Sequence, residues 1–86
     1  MIEDERATVY VGNLPLGITS QDLYAHLSTF GEIRSVTIPL DHISQLQRGF
    51  AFIEFDEKED ALSAIDNYDK SDFMGRTIRI RKANAN

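Results

Sequence analysis

Arg48-Gly49-Phe50-Ala51-Phe52-Ile53-Glu54-Phe55 decides the fold, because from Phe50 onward it reads as a strand that is apolar on both faces. Period-two alternation puts Ala51, Ile53 and Phe55 on one side and Phe50 and Phe52 on the other. A strand with one solvated face would alternate apolar with polar residues. Either both faces of this strand are covered, or one of them shows aromatic rings to water.

The flanking sequence supplies the rest of the sheet and its cover. Thr8–Val11 alternates, with Val9 and Val11 opposite Thr8 and Tyr10, and the turn-rich Gly12–Gly17 ends it. Thr19 is a good helix N-cap, and Asp22 suits a positive helix start. Leu23, Leu27 and Phe30 follow at helical spacing, and Gly31 stands where a C-terminal glycine belongs. Ile33–Leu40 is expected to be a second strand with Val36 and Ile38 inward. Pro39 lacks an amide donor and places that strand at an edge. Asp41–Gln47 is a loop. After the Phe50–Phe55 strand, Asp56 is expected to cap a second helix, with Glu59 completing a capping box. Ala61, Ala64 and Ile65 form its apolar stripe, which Tyr68 extends. Asn67–Gly75 is a polar connection around Phe73 and Met74. Thr77–Arg81 is the last strand, with Ile78 and Ile80 inward and Thr77, Arg79 and Arg81 outward.

The order strand, helix, strand, strand, helix, strand predicts an α+β fold. It is a ferredoxin-like βαββαβ sandwich, a four-stranded antiparallel sheet with two helices on one face. One domain spans 7–83, with flexible termini at 1–6 and 84–86. Both helices can bury their stripes on the same side of the sheet. The other side then displays Tyr10, Phe50 and Phe52, with Thr8, Thr37, Glu54 and Arg79 around them. Monomers rarely leave such a patch bare without a use for it. The competing account is a second core, covered by another segment or a partner. Rings on a flat sheet suit unstacked bases, at ~1–3 kcal/mol per base. Arg48, Arg79, Arg81 and Lys82 can then meet phosphates or base edges. For Arg79 and Arg81, alternation shows only that they face outward. A bond to the turn backbone accounts for Asn13 equally well, and either the turn or close approach of a nucleotide accounts for Gly12.

Composition limits the alternatives. The 86 residues suffice for one small domain. There are no cysteines, so there is no disulfide, thiolate metal site or cysteine nucleophile. No apolar run approaches the ~20 residues of a membrane span, and Met1–Arg6 is charged, so a soluble cytosolic or nuclear protein is expected. No phosphate-binding glycine loop with lysine, metal-ligand spacing or nucleophile–base pair is visible. His26 lies near an apolar stripe and reads as packed; His42 is a loop residue. No enzyme activity, metal or cofactor is expected. The net charge of −5 counts against nucleic-acid binding. Its distribution answers the objection, because Asp56, Glu57, Glu59, Asp60, Asp66, Asp69 and Asp72 lie on or just after the second helix. That places them behind the sheet, beyond a Debye length of ~8 Å.

Arg48–Phe55 matches every specified position of the RNA recognition motif octamer, allowing Ile for Val. Val9-Tyr10-Val11-Gly12-Asn13-Leu14 resembles that family's hexamer, and the resemblance covers roughly Ala7–Ala83. It implies stacking by Tyr10 and Phe52 with Phe50 beside them, backbone contact by Arg48, and base selection by Arg79, Arg81 and Lys82. A closer likeness is to the amino-terminal motif of nuclear cyclophilin E-type prolyl isomerases, carried by Ile38–Asp41, Arg48–Phe55, Ala64–Asn67 and Gly75–Arg79. That likeness implies a nuclear protein in mRNA processing or splicing, with a splicing or chromatin factor as protein partner. The Asp41–Gln47 loop departs from the family, having neither glycine nor fixed positive charge. It disfavours electrostatic clamping and leaves Ile43 and Leu46 for a protein contact.

The expected activity is binding of two to four nucleotides of single-stranded RNA by a monomer, through Thr8, Tyr10, Asn13, Arg48, Phe50, Phe52, Arg79, Arg81 and Lys82. Stacking gains of ~3–9 kcal/mol stand against ~4–15 kcal/mol for association, so affinity should be on the order of micromolar. The alternative is a protein-interaction module that uses the sheet face or the acidic helices.

Overall fold

The computed structural model describes residues 7–47 and 49–83. The expectations for 1–6, 84–86 and Arg48 lie outside them. The order is β1 (Thr8–Gly12), α1 (Ser20–Leu27) with a 3₁₀ turn (Ser28–Phe30), β2 (Ile33–Thr37), β3 (Phe50–Phe55), α2 (Lys58–Tyr68), β4 (Asp72–Phe73), β5 (Arg76–Thr77) and β6 (Arg79–Lys82). The main sheet is antiparallel in the order β2-β3-β1-β6. The α+β sandwich and its edge strand β2 are therefore as expected.

The core lies between this sheet and both helices. Val9, Val11, Ala51, Ile53 and Phe55 are fully buried against Leu23, Leu27, Ala61 and Ala64. Ile78 and Ile80 close the β6 side. Each such large apolar side chain contributes roughly 1.5–3 kcal/mol on burial. Thr19 caps α1 reciprocally: its Oγ1 accepts from the Asp22 amide, and the Asp22 carboxylate accepts from the Thr19 amide. That box satisfies two helix-end donors at once.

Three expectations are corrected. The N-cap of α2 is Glu57, without a side-chain cap bond. The Asp56 carboxylate, one residue before that N-cap, instead accepts from Arg34 Nε at 3.2 Å. Strand β2 stops at Thr37, ahead of Pro39; beyond it only the isolated Leu40–Gln47 bridge remains. The connection after α2 holds a hairpin, β4–β5, around Met74 and Gly75, both at positive φ (51° and 88°), as a mirror-image hairpin turn requires. It places Phe73 in the core and Met74 in solvent. Gly31 ends the 3₁₀ turn, and a Cβ there would overlap the Asp60 side chain, so glycine lets the first turn of α2 close on the α1 exit.

His26 is packed, as expected. Its ring lies 4.8 Å from Tyr68 and 4.3 Å from Phe73, between centroids. Burial holds its pKa below the ordinary 6.5, since desolvation disfavours the charged ring. In the window below 6.5 the unfolded chain therefore binds a proton that the folded chain does not, and stability falls as pH falls. Urea midpoints at pH 7.5 and 5.5 should show lower stability at 5.5. His26→Phe, which keeps the ring contacts without the titration, should narrow that gap.

Candidate nucleic-acid interface

The β1–β3 register pairs Thr8 with Glu54, Tyr10 with Phe52 and Gly12 with Phe50. Directly paired antiparallel residues share a face. Tyr10, Phe50 and Phe52 therefore converge on the side of the sheet opposite both helices. Tyr10 and Phe50 stack with centroids 5.5 Å apart. Phe52 meets both edge-on, at 5.9 Å and 5.7 Å. The three rings are half-buried by one another and by the sheet, leaving a ring platform open to solvent.

Gly12 has a definite part in this platform. A Cβ there would lie 2.8 Å from Tyr10 Cε1 and Oη, so the Tyr10 ring folds over the glycine. The close approach at Gly12 is thus made by the protein's own tyrosine, and it fixes where that ring lies.

Strand β6 supplies charge on one flank. Arg81 pairs with Tyr10 and Arg79 with Gly12. The Arg81 guanidinium carbon lies 4.7 Å from the Tyr10 centroid, a cation–π contact. Arg79 Nε donates to Asp69 Oδ1 at 3.2 Å. Asp69 also accepts from the Ile80 amide at 2.8 Å. That backbone bond, with help from Arg79 and Lys70, holds its carboxyl below the usual range against the opposing effect of desolvation. Asp69 is therefore tied to the flank of the platform rather than belonging to the acidic outer face of α2. Lys82 pairs with Val9, a core residue, yet borders the depression beside Phe52 together with Ala83. Thr8 and Glu54 sit at the far end of the same ladder.

The opposite flank carries paired charge. Glu54 faces Arg34 (3.4 Å) and Ser35 Oγ (3.3 Å), and Arg34 also holds Asp56. These are exposed pairs worth little to stability, but they pair the Glu54 carboxylate on the front face. The open cations thus gather along β6 and β5.

Arg76 was not legible as a site residue. It lies in the short hairpin, outside any periodic stretch. Its Nε and Nη2 donate to Asn13 O (3.1 Å) and Asn13 Oδ1 (2.6 Å), while Asn13 Nδ2 donates to Thr77 O at 2.7 Å. Asn13, at φ 62°, is a clamp joining the end of β1 to the hairpin. Arg76 thereby borders the depression next to Phe50. Gln47 likewise ties two loops, accepting from the Gly17 amide at 2.7 Å and donating to Ile18 O. Among the described residues no cluster of His, Asp or Glu could hold a metal ion.

The sequence profile of the RNA recognition motif matches residues 9–79. The chain belongs to the RNA recognition motif family. RbpD of Nostoc sp. is 41% identical over 76 residues, covering 88% of this chain and 81% of that protein. The embryonic polyadenylate-binding protein 2-B of Xenopus laevis is 42% identical over 78 residues, covering 91% of this chain but 35% of that protein. A solved complex of the Sxl-lethal protein with RNA superposes with a TM-score of 0.84 at 28% identity, covering 92% of this chain and 48% of that one. The non-enzymatic binding module expected from the sequence agrees with this family.

Gly12→Ala should leave the fold intact while displacing the Tyr10 ring. Removing glycine from a strand gains roughly 0.5–1 kcal/mol of backbone entropy, which offsets the cost of swinging a surface ring. The expected result is a melting temperature within a few degrees of wild type, with loss of the upfield ring-current shift on the Arg81 side-chain protons.

Proposed function

We propose that this chain binds single-stranded RNA by stacking bases on Tyr10, Phe50 and Phe52. The observation that carries the reading is the mutual contact of the three rings on the uncovered sheet face, with Arg81 against one of them. Tyr10 and Phe50, with near-parallel rings, and Phe52, turned edge-on to both, offer two or three bases a π face, and stacking on each is sequence-tolerant. Arg76, Arg81 and Lys82 around the rings give the phosphates a direction. Family membership and the RNA-bound Sxl-lethal neighbour support the same reading.

The net charge of −5 sets the character of the binding. With two or three phosphate contacts, affinity should fall with salt at a slope of about −1.4 to −2.1 on logarithmic axes. Binding is then micromolar and short-range. A nuclear location and a part in mRNA splicing rest on the cyclophilin E-type resemblance of Ile38–Asp41 and Gly75–Arg79. RbpD comes from Nostoc, which has no nucleus, so family membership adds nothing to that assignment. A second reading, docking of a protein, has one observation in its favour: Ile43 is 94% exposed and Leu46 63% exposed in the Asp41–Gln47 stretch, which carries no Lys or Arg.

Titration of labelled ten-mer RNAs tests the proposal. Phe52→Ala should raise Kd by about fivefold to a hundredfold, the equivalent of ~1–3 kcal/mol of lost stacking. Asp66→Lys, on the exposed side of α2, should leave Kd within about twofold. Equal loss in both variants would move binding off the sheet.

A further inference from the structure

We infer that the β6 flank of the platform selects guanine, and that Asp69 sets this preference by orienting Arg79. The inference rests on the RNA-binding reading and gives it a base identity.

The Tyr10 ring lies across Gly12, and the cross-strand partner of Gly12 on β6 is Arg79. A base lying on Tyr10 therefore reaches toward Arg79 with one edge. The depression there has a volume of about 230 Å³ and is bordered by Tyr10, Gly12, Asn13, Arg79, Ile80 and Arg81. Its side-chain polar groups are almost all donors. Arg79 and Arg81 carry no acceptor. The Asn13 side chain is occupied on both atoms, by Arg76 and by Thr77 O. The Tyr10 hydroxyl can do either, and Asn13, with one bond already made at each side-chain atom, keeps one lone pair and one N–H.

Arg79 is also the more fixed of the two cations. Its Nε is held by Asp69 Oδ1, and that oxygen is itself anchored by the Ile80 amide. Among the described residues nothing bonds its two Nη groups, and the side chain is 61% exposed. A guanidinium held at Nε and free at both Nη atoms presents a planar fork of donors. Guanine O6 and N7 are adjacent acceptors that this fork meets bidentately. Adenine offers N7 as an acceptor but N6 as a donor, which would face another donor. Uracil offers one carbonyl at a time. The relative named for polyadenylate binding makes adenine the informative comparison.

The test uses the full 86-residue chain and uridine ten-mers carrying one central G, A, C or 7-deazaguanine, followed by fluorescence anisotropy at two salt concentrations. The G oligomer should bind about tenfold more tightly than the A oligomer, and 7-deazaguanine, which lacks N7, should bind like A. Arg79→Lys keeps the charge but removes the fork, so the G-to-A ratio should fall toward one with an unchanged salt slope. Asp69→Asn keeps an oxygen for the Ile80 amide but removes the carboxylate charge, so Arg79 Nε is held only by a weaker neutral bond. It should lower the same ratio while thermal unfolding stays near wild type. Equal affinity for G and A in the wild type, with binding still abolished by Tyr10→Ala, would overturn guanine selection and leave RNA binding standing. A phosphate role for Arg79 would show as an unchanged ratio in Arg79→Lys, and would also overturn it. Failure of every oligomer to bind would overturn both.

Discussion

The β1–β3 ladder is the constraint on which the rest depends. One set of paired residues, Val9 with Ile53 and Val11 with Ala51, is completely buried under the helices. The alternate set, Tyr10 with Phe52 and Gly12 with Phe50, forms the aromatic platform. A slip of β1 by one residue would turn Tyr10 into the helix interface and the core valines into water. The burial of the first set therefore fixes the position of the second. Stability and the functional surface come from one register, and neither helix touches the surface that it positions.

The flanks of this ladder explain how an acidic protein can still offer a basic edge. Arg34 turns back on Glu54 and Asp56 at the β2 side, so the negative charge nearest the rings is paired. At the β6 side Arg81 lies against Tyr10 and Arg79 is braced by Asp69. These exposed contacts contribute little to stability, since surface ion pairs are worth ~0–1 kcal/mol. Their effect is on orientation: cations sit along one edge of the rings, and the bulk of the acidic residues lies behind the sheet.

What was legible in the sequence follows from local periodicity. Period two marked β1 and β3 and sorted Tyr10, Phe50 and Phe52 onto one face, and the 3.6-residue period marked both helices. Pro39 alone placed β2 at an edge. What was not legible depends on distant partners. Asp56 looks like a helix cap, whereas its carboxylate pairs with Arg34, 22 residues earlier. Arg76 and Asn13 are 63 positions apart and meet only because a hairpin of two-residue strands, too short for any periodic signal, swings beneath the β1 turn. Asp69 reads as one more charge in an acidic run, whereas the Ile80 amide draws it to the edge of the platform. Gly12 reads as turn or nucleotide contact, and its actual neighbour is the tyrosine two residues before it.

The central claim is that RNA lies on the ring face of the sheet. Amide chemical-shift mapping of the labelled chain during titration with a mixed-sequence ten-mer RNA tests it most directly. Binding on the platform predicts that perturbations concentrate on Thr8–Asn13, Phe50–Phe55 and Arg79–Ala83, with α2 unaffected. Perturbations concentrated on Glu59, Leu62 and Asp66, on the outer side of α2, would contradict it.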